Sequence, residues 1–341
     1  MRVPLRLLAI ALLASAVLFP VLATPSASGQ SPVAVARQPV PADQPMLPET
    51  ATAMVEGSTG PPVPLATLRA EAPAARISAV VLTYQGHRRA FLLITPPRLS
   101  RPLPVLLKLA GSGAPPTFEA DRDGLYALAE QGRAVLAYPA ELAGSWSLGV
   151  DDCCGGAARS GLDDAGFAMA VLDRVQRSLP VLNRADLVGY SAGGKLGYLL
   201  ACRHADRFRS FTAVAATPLT GCPAPAKPLT FQLLVGAHDG ELPITQHPEP
   251  SDQALIGAAT NWLARDRCGL VVQARLLESA TAFGARCAGD VGVRLVRYSL
   301  LGHSWPGATL AGPGASGLAL VSNLLAGEPV TPADLPGQPA R

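Results

Sequence analysis

The chain of 341 residues is 49% hydrophobic and 16% charged, which leaves room for one large α/β domain or two small ones. Its formal net charge of +3 is spread without a basic stripe, so nucleic acid is excluded as an expected partner. There is no P-loop, no dinucleotide fingerprint and no H-E-x-x-H zinc helix, and no metal or organic cofactor is expected.

The N-terminus reads as a secretory signal peptide over residues 1–27. Arg2 and Arg6 precede an apolar stretch from Leu7, and small residues follow Pro20, with cleavage after Ala23 or Ala27. The alternative, an uncleaved anchor, would have only Leu7–Ala23, the short limit for crossing a membrane. A secreted protein without stable membrane association after cleavage is expected. Residues 28–75 are rich in proline and alanine with almost no aromatic residue, a linker composition that would hold a folded part away from a membrane or wall. A folded domain over 76–330 and a short flexible tail over 331–341 complete the expected organisation.

Within that domain "ISAVVLTY" and "RAFLLITP" flank Gln85-Gly86-His87 and predict an antiparallel hairpin. "PVLLKLA" is a short apolar run entering the loop "GSGA", as a buried strand does. "DGLYALAEQG" has helical spacing and stops at Gly132, ahead of the strand "RAVLAYP". "LDDAGFAMAVLDRVQRSL" is an amphipathic helix with acidic residues at its start. The strand "ADLVGY" and the helix "GGKLGYLLACRH" follow, then the strands "SFTAVAAT" and "LTFQLLVG". "SDQALIGAATNWLARD" predicts one serine-capped helix, "VGVRLVRYSL" a last strand and "SGLALVSNLLAG" a last helix. Such alternation predicts a mostly parallel sheet with helices on both faces, preceded by the hairpin, and ligand binding beyond the carboxyl ends of the strands.

Ser191 stands at one of those ends, in "LVGYSAGG", with Gly189 and Gly193 two residues to either side. Glycines there would also suit an ordinary tight turn, and in a chain with 33 glycines the motif by itself decides little. Its setting between a strand and a helix is that of a nucleophile elbow, in which the turn exposes a serine hydroxyl above the sheet. A serine hydroxyl needs a base, and the base a group to orient it. Of the histidines beyond the Ser191 helix, His238, His247 and His303, only His303 follows the last strand directly. Asp239 lies just past a strand and upstream of His303, giving the order serine, acid, histidine, with Glu241 and Asp252 as fallbacks. Oxyanion stabilisation needs two backbone N–H groups. Ala192 supplies one, and the "KLAGSGA" turn the other, from Ser112 or else Gly111 or Gly113.

The succession "LAGSGA", "AVLAYPAELAGSWSLG", "DDCCGG", "LDDAGFAMAVLD", "VGYSAGG", "GAHDG", "NWLARDRCG" and "GHSWPG" resembles the polyhydroxybutyrate-depolymerase and feruloyl-esterase family of secreted α/β-hydrolases. The resemblance runs from about Arg76 to the C-terminal helix. Its most specific pieces are Asp163-Asp164 and the turn Gly302-His303-Ser304-Trp305-Pro306. It implies an α/β-hydrolase fold and an ester-cleaving enzyme with nucleophile Ser191, acid Asp239 and base His303. Two departures stand out: the early turn reads Ala110-Gly111 where the family usually has His-Gly, and Ala192 stands where it usually has Asn. Both bear on substrate preference more than on catalysis. On this resemblance Trp146 and Trp305 border the cleft as substrate-binding residues, and Cys153 and Cys154 brace its rim. Trp262, on a helix, is read as core.

Six cysteines in an exported protein predict disulfides, with fifteen possible full pairings. Cys268 and Cys287 are the expected pair because the excursion between them is short, and Cys153, Cys154, Cys202 and Cys222 pair in an order left open. The leading expectation is a secreted serine esterase acting on small-molecule or oligomeric esters. A secreted peptidase and a catalytically silent binding protein on the same scaffold are the alternatives.

Overall fold

The computed structural model describes residues 52–55, 63–149, 157, 159–218, 227–242, 252–277 and 279–325, all within the unit Asp43–Arg341. The expected signal peptide, residues 28–51 of the expected linker, the tail, His247, Ser251, Cys153, Cys154 and Cys222 lie outside the described residues.

The hairpin is β1 (Arg76–Tyr84) and β2 (His87–Thr95), paired antiparallel from Arg76 with Thr95 to Tyr84 with His87. Its two-residue turn, Gln85-Gly86, takes positive φ at both positions, the geometry that matches strand twist. The chain continues through β3 (Val105–Leu109), β4 (Val135–Pro139), β5 (Ala185–Tyr190), β6 (Phe208–Val214), β7 (Thr230–Gly236), β8 (Val272–Leu277), β9 (Ala280–Arg286) and β10 (Gly292–Tyr298). These form one sheet in the order β1-β2-β4-β3-β5-β6-β7-β10-β9-β8. The centre, from β4 to β10, is parallel, and both margins are antiparallel.

Both faces of that centre are covered, which is why its strands read as unbroken apolar runs. Val105, Leu107 and Leu109 enter one core with α5 (Asp164–Ser178), α6 (Ala192–Arg203) and α8 (Thr260–Arg265). Leu106, Leu136 and Tyr138 enter the other with α10 (Gly317–Leu325) and residues of the early helices. In the first core Trp262 stacks on Phe231 at 4.3 Å between ring centres. Truncating such an aromatic residue costs about 3–5 kcal/mol.

Four elements differ from expectation. Residues of the expected linker are folded: α1 (52–55) and α2 (Leu65–Glu71) pack on the second core through Val55, Leu65 and Leu68, the two leucines being one helical turn apart. The helix expected over "DGLYALAEQG" is only α4 (Ala127–Glu130), and α3 (Pro116–Asp123) precedes it. Pro116 at the first turn and a left-handed Gly124 after the end bound α3, a placement in which proline favours a helix. The long serine-capped helix is two pieces, α7 (Asp252–Ala258) and α8, broken at Ala259. Between α8 and β10 the chain inserts β8 and β9, where the sequence pattern predicts no element. A four-residue helix, α9 (Ala308–Ala311), lies between β10 and α10.

Candidate functional site

Ser191 joins β5 to α6 with φ 52° and ψ −121°, a conformation that costs a residue with a side chain on the order of 1–3 kcal/mol. Its surroundings hold it there: the Ser191 N–H donates to Val214 O at 2.9 Å, and Lys195 N–H donates to Ser191 O at 3.1 Å. The turn is possible because Gly193 has no side chain. A Cβ there would overlap the carbonyl oxygens of Leu109 and Ala110 on β3 and its turn.

Two further loops meet this elbow. After β7, Ala237 N–H donates to Tyr298 O at 2.8 Å and His238 N–H to Leu301 O at 2.9 Å, so the loops following β7 and β10 are zipped together. Gly236 lets them touch, since a Cβ would overlap Leu301 O and Gly302 O. Asp239 and His303 therefore arrive side by side. His303 Nε2 lies 2.8 Å from Ser191 Oγ, and His303 Nδ1 lies 2.9 and 3.0 Å from the two Asp239 oxygens. Asp239 is fully buried, while His303 keeps 17% of its side chain exposed. With a serine hydroxyl on one ring nitrogen and a carboxylate on the other, the imidazole is placed where it can take a proton from the serine while the acid fixes its tautomer.

Glu241, the fallback acid, is 71% exposed, and its carboxylate lies 3.4 Å from His303 Nε2 on the serine side of the ring. Its backbone N–H donates to Asp239 Oδ1 at 3.0 Å, so it supports the buried acid. His238 and His87 are exposed and His204 ends α6, all outside this cluster.

Ala192 opens α6 directly after Ser191. In the turn after β3, Gly113 N–H is taken by Glu141 at 2.8 Å, which removes Gly113 from the oxyanion candidates and leaves Ser112 and Gly111. Ser112 Oγ is 2.7 Å from Ser145 Oγ.

Trp146 requires correction. Trp146 is fully buried, and its indole N–H donates to Ala110 O at 2.8 Å. It braces the turn from beneath and has no surface to offer an acyl group. Trp305, 6% exposed, is packed on the backbone at Gly317, with Lys108 Nζ 4.9 Å from its ring centre. The Asp163-Asp164 pair serves this same support. Asp163 caps α5 through Gly166 N–H at 2.8 Å, while buried Asp164 accepts from Ser147 N–H at 2.6 Å and pairs with Arg89.

Sequence reading missed Tyr190. Its hydroxyl donates to His303 O at 2.9 Å, and its ring lies 5.6 Å from the imidazole. The residue before Ser191 thus holds the loop of His303. Cys268 is bonded to Cys287, and Cys202 is also in a disulfide. Among the described residues no group of three or more His, Cys, Asp or Glu is arranged to hold a metal ion, and no helix is long and apolar enough to cross a membrane.

No protein-family model matches the chain. In sequence it is similar to probable feruloyl esterase C of Aspergillus clavatus, 30% identical over 89 residues that cover 26% of this chain and 33% of that protein. It is also similar to feruloyl esterase C of Emericella nidulans, 29% identical over 115 residues, 33% of this chain and 38% of that protein. The matches thus span about a third of the length of these relatives. In structure it is similar to acetyl xylan esterase from Aspergillus awamori, with a TM-score of 0.51 and 11% identity over 68% of this chain and 96% of that one. That likeness is one of fold.

Proposed function

We propose that this chain, an α/β-hydrolase by fold, is a serine hydrolase of carboxylic esters that works through an acyl-enzyme. The observation that carries the reading is the hydrogen-bonded series Ser191–His303–Asp239, set on a strained elbow. Ser191 Oγ attacks the ester carbonyl as His303 Nε2 accepts its proton, and Asp239 stabilises the resulting imidazolium. The N–H groups of Ala192 and Ser112 receive the developing oxyanion. His303 then protonates the departing alcohol and next activates the water that releases the acid. No step calls for a metal or an organic cofactor.

Similarity to the feruloyl esterases supports aryl-acyl esters of that class as substrates, ahead of polyhydroxybutyrate oligomers and acetyl or small soluble esters. The charged, then apolar, then small-residue N-terminus supports secretion. Purified protein is expected to hydrolyse a short aryl ester and a feruloyl ester and to react with a fluorophosphonate at Ser191. Replacing the nucleophile, Ser191→Ala, is expected to lower turnover by about a thousandfold or more and to abolish labelling while the fold persists. Near-native turnover in that variant overturns the reading. Cleavage of the matching amide at a comparable rate would make the protein a peptidase instead.

A further inference from the structure

Beneath the site lies a cluster of charges that the proposed chemistry does not use. Lys108, next to the last residue of β3, is fully buried, as is Glu119 on α3. The Lys108 ammonium pairs with one Glu119 oxygen and lies 3.7 Å from Asp123. The Arg122 guanidinium pairs with the other Glu119 oxygen. Burial, with Glu119 close by, pushes the Asp123 carboxyl up to about 7 against the pull of Lys108. Removing such charges from water costs several kcal/mol per ion, so the cluster is a poor device for stability alone.

Its two cations each sit on a ring tied to the His303 loop, and Arg122 also lies 5.6 Å from the ring centre of Phe118. Lys108 Nζ is 4.9 Å from the centre of Trp305, two residues after His303. The Arg122 guanidinium carbon is 4.0 Å from the centre of Tyr190, whose hydroxyl holds His303 O. Cation–ring contacts of this kind strengthen when water is excluded. We infer that Glu119 is a positioning residue for His303: its carboxylate holds Lys108 on Trp305 and Arg122 on Tyr190, and so fixes both aromatic supports of the histidine loop. It touches no reacting atom and acts only through that geometry.

The inference rests on the Ser191–His303–Asp239 reading, so its test carries Ser191→Ala as a control. A control that still turns over ester sinks the underlying reading, whereas a silent one leaves Glu119→Gln to judge the inference alone. The amide keeps the volume of Glu119 but removes its charge, and its one oxygen can face only one of the two cations. With active sites counted by fluorophosphonate titration, Glu119→Gln is expected to lose about tenfold or more in kcat per site with little change in KM, as misplaced groups do. The acid limb of its pH–rate profile is expected to move, because the imidazole's contacts with Asp239 and Ser191 are disturbed. Trp305→Leu, which removes the ring under Lys108, should move the limb likewise, and the two changes together should cost less than the product of their separate effects. Native turnover per titrated site with an unmoved limb overturns the inference, including the case where Glu119→Gln only reduces the amount of folded enzyme. If that variant yields no folded protein, Trp305→Leu decides by the same two readouts.

Discussion

The elbow at Ser191 and the margin formed by β8 and β9 are held by different means. At the elbow the backbone is confined by contact: Gly193 lies against the carbonyls of Leu109 and Ala110, and Ser191 is bonded on both sides. At the margin β8 pairs, among the described residues, with β9 alone, Leu270 is 90% and Val272 50% exposed, and a covalent bond, Cys268–Cys287, closes the excursion. Close packing fixes position to fractions of an ångström, while a cross-link restricts which conformations the unfolded chain can reach. The same chain therefore sets its candidate site where contact is dense and tolerates exposure where a staple suffices.

The sharpest way to break this contrast is to add a single methyl at the centre. Gly193→Ala must displace either the elbow or the turn after β3, because its Cβ falls on the Leu109 and Ala110 carbonyls. A displacement near 1 Å is enough to cost about a hundredfold in rate. Ester turnover per folded molecule, with circular dichroism to establish folding, is expected to fall by at least that much. A folded Gly193→Ala with native turnover would mean that contact does not define the elbow.

The converse change belongs at the margin. Replacing Cys268 and Cys287 by serine opens a cross-link spanning 19 residues, worth about 3 kcal/mol in the chain-entropy account. For a domain of this size that is a fall in Tm of roughly 6–12 °C. Labelling of Ser191 by a fluorophosphonate at low temperature is expected to remain, since no atom of the site moves. Lost labelling in the folded variant would show that the margin shapes the site, and an unchanged Tm would show that the bond contributes nothing.

What could be read from sequence follows the same division between local and distant causes. The elbow announces itself locally, in an apolar run, a G-x-S-x-G turn and a following helix. Asp239 and His303 are placed by strand ends and chain order. Trp146 was misread because a tryptophan's direction depends on packing from elsewhere, here on Ala110. The charge cluster had one visible signal, Lys108 inside "PVLLKLA", since a lysine in a buried strand needs carboxylates nearby. Its partners sit on α3, which opens with Pro115-Pro116 and so resembles a loop. At the other extreme β8 lies at the sheet's margin, where among the described residues one side is paired and no continuous apolar run is demanded.

A gentler probe of the centre is Glu141, which tests whether its dense contacts make it sensitive to pH in a way the margin is not. One carboxyl oxygen accepts Gly113 N–H at 2.8 Å, and the other is buried without a hydrogen-bond partner among the described residues. Burial, reinforced by the carboxylates of Asp164 and Glu119, pushes its carboxyl up to about 8 despite the Gly113 N–H and Arg89. An unfolded glutamate ionises near 4.3, so between these values the folded state holds a proton that the unfolded state has released. This contribution is fully present below about pH 4 and is lost as pH rises through about 8. Glu141→Gln imitates the neutral carboxyl at every pH and escapes that loss. Tm measured for both proteins from pH 4 to 9 should show an offset that is constant below about pH 4, an advantage for the variant that grows from there to about pH 8, and a plateau above it. The gain should be on the order of 1 kcal/mol, because residual solvent contact screens the group. Other titrating groups cancel in the difference, provided that they respond alike in both proteins. Parallel curves across the whole range would rule out Glu141 as the source and leave the turn after β3 without a proton-linked contact.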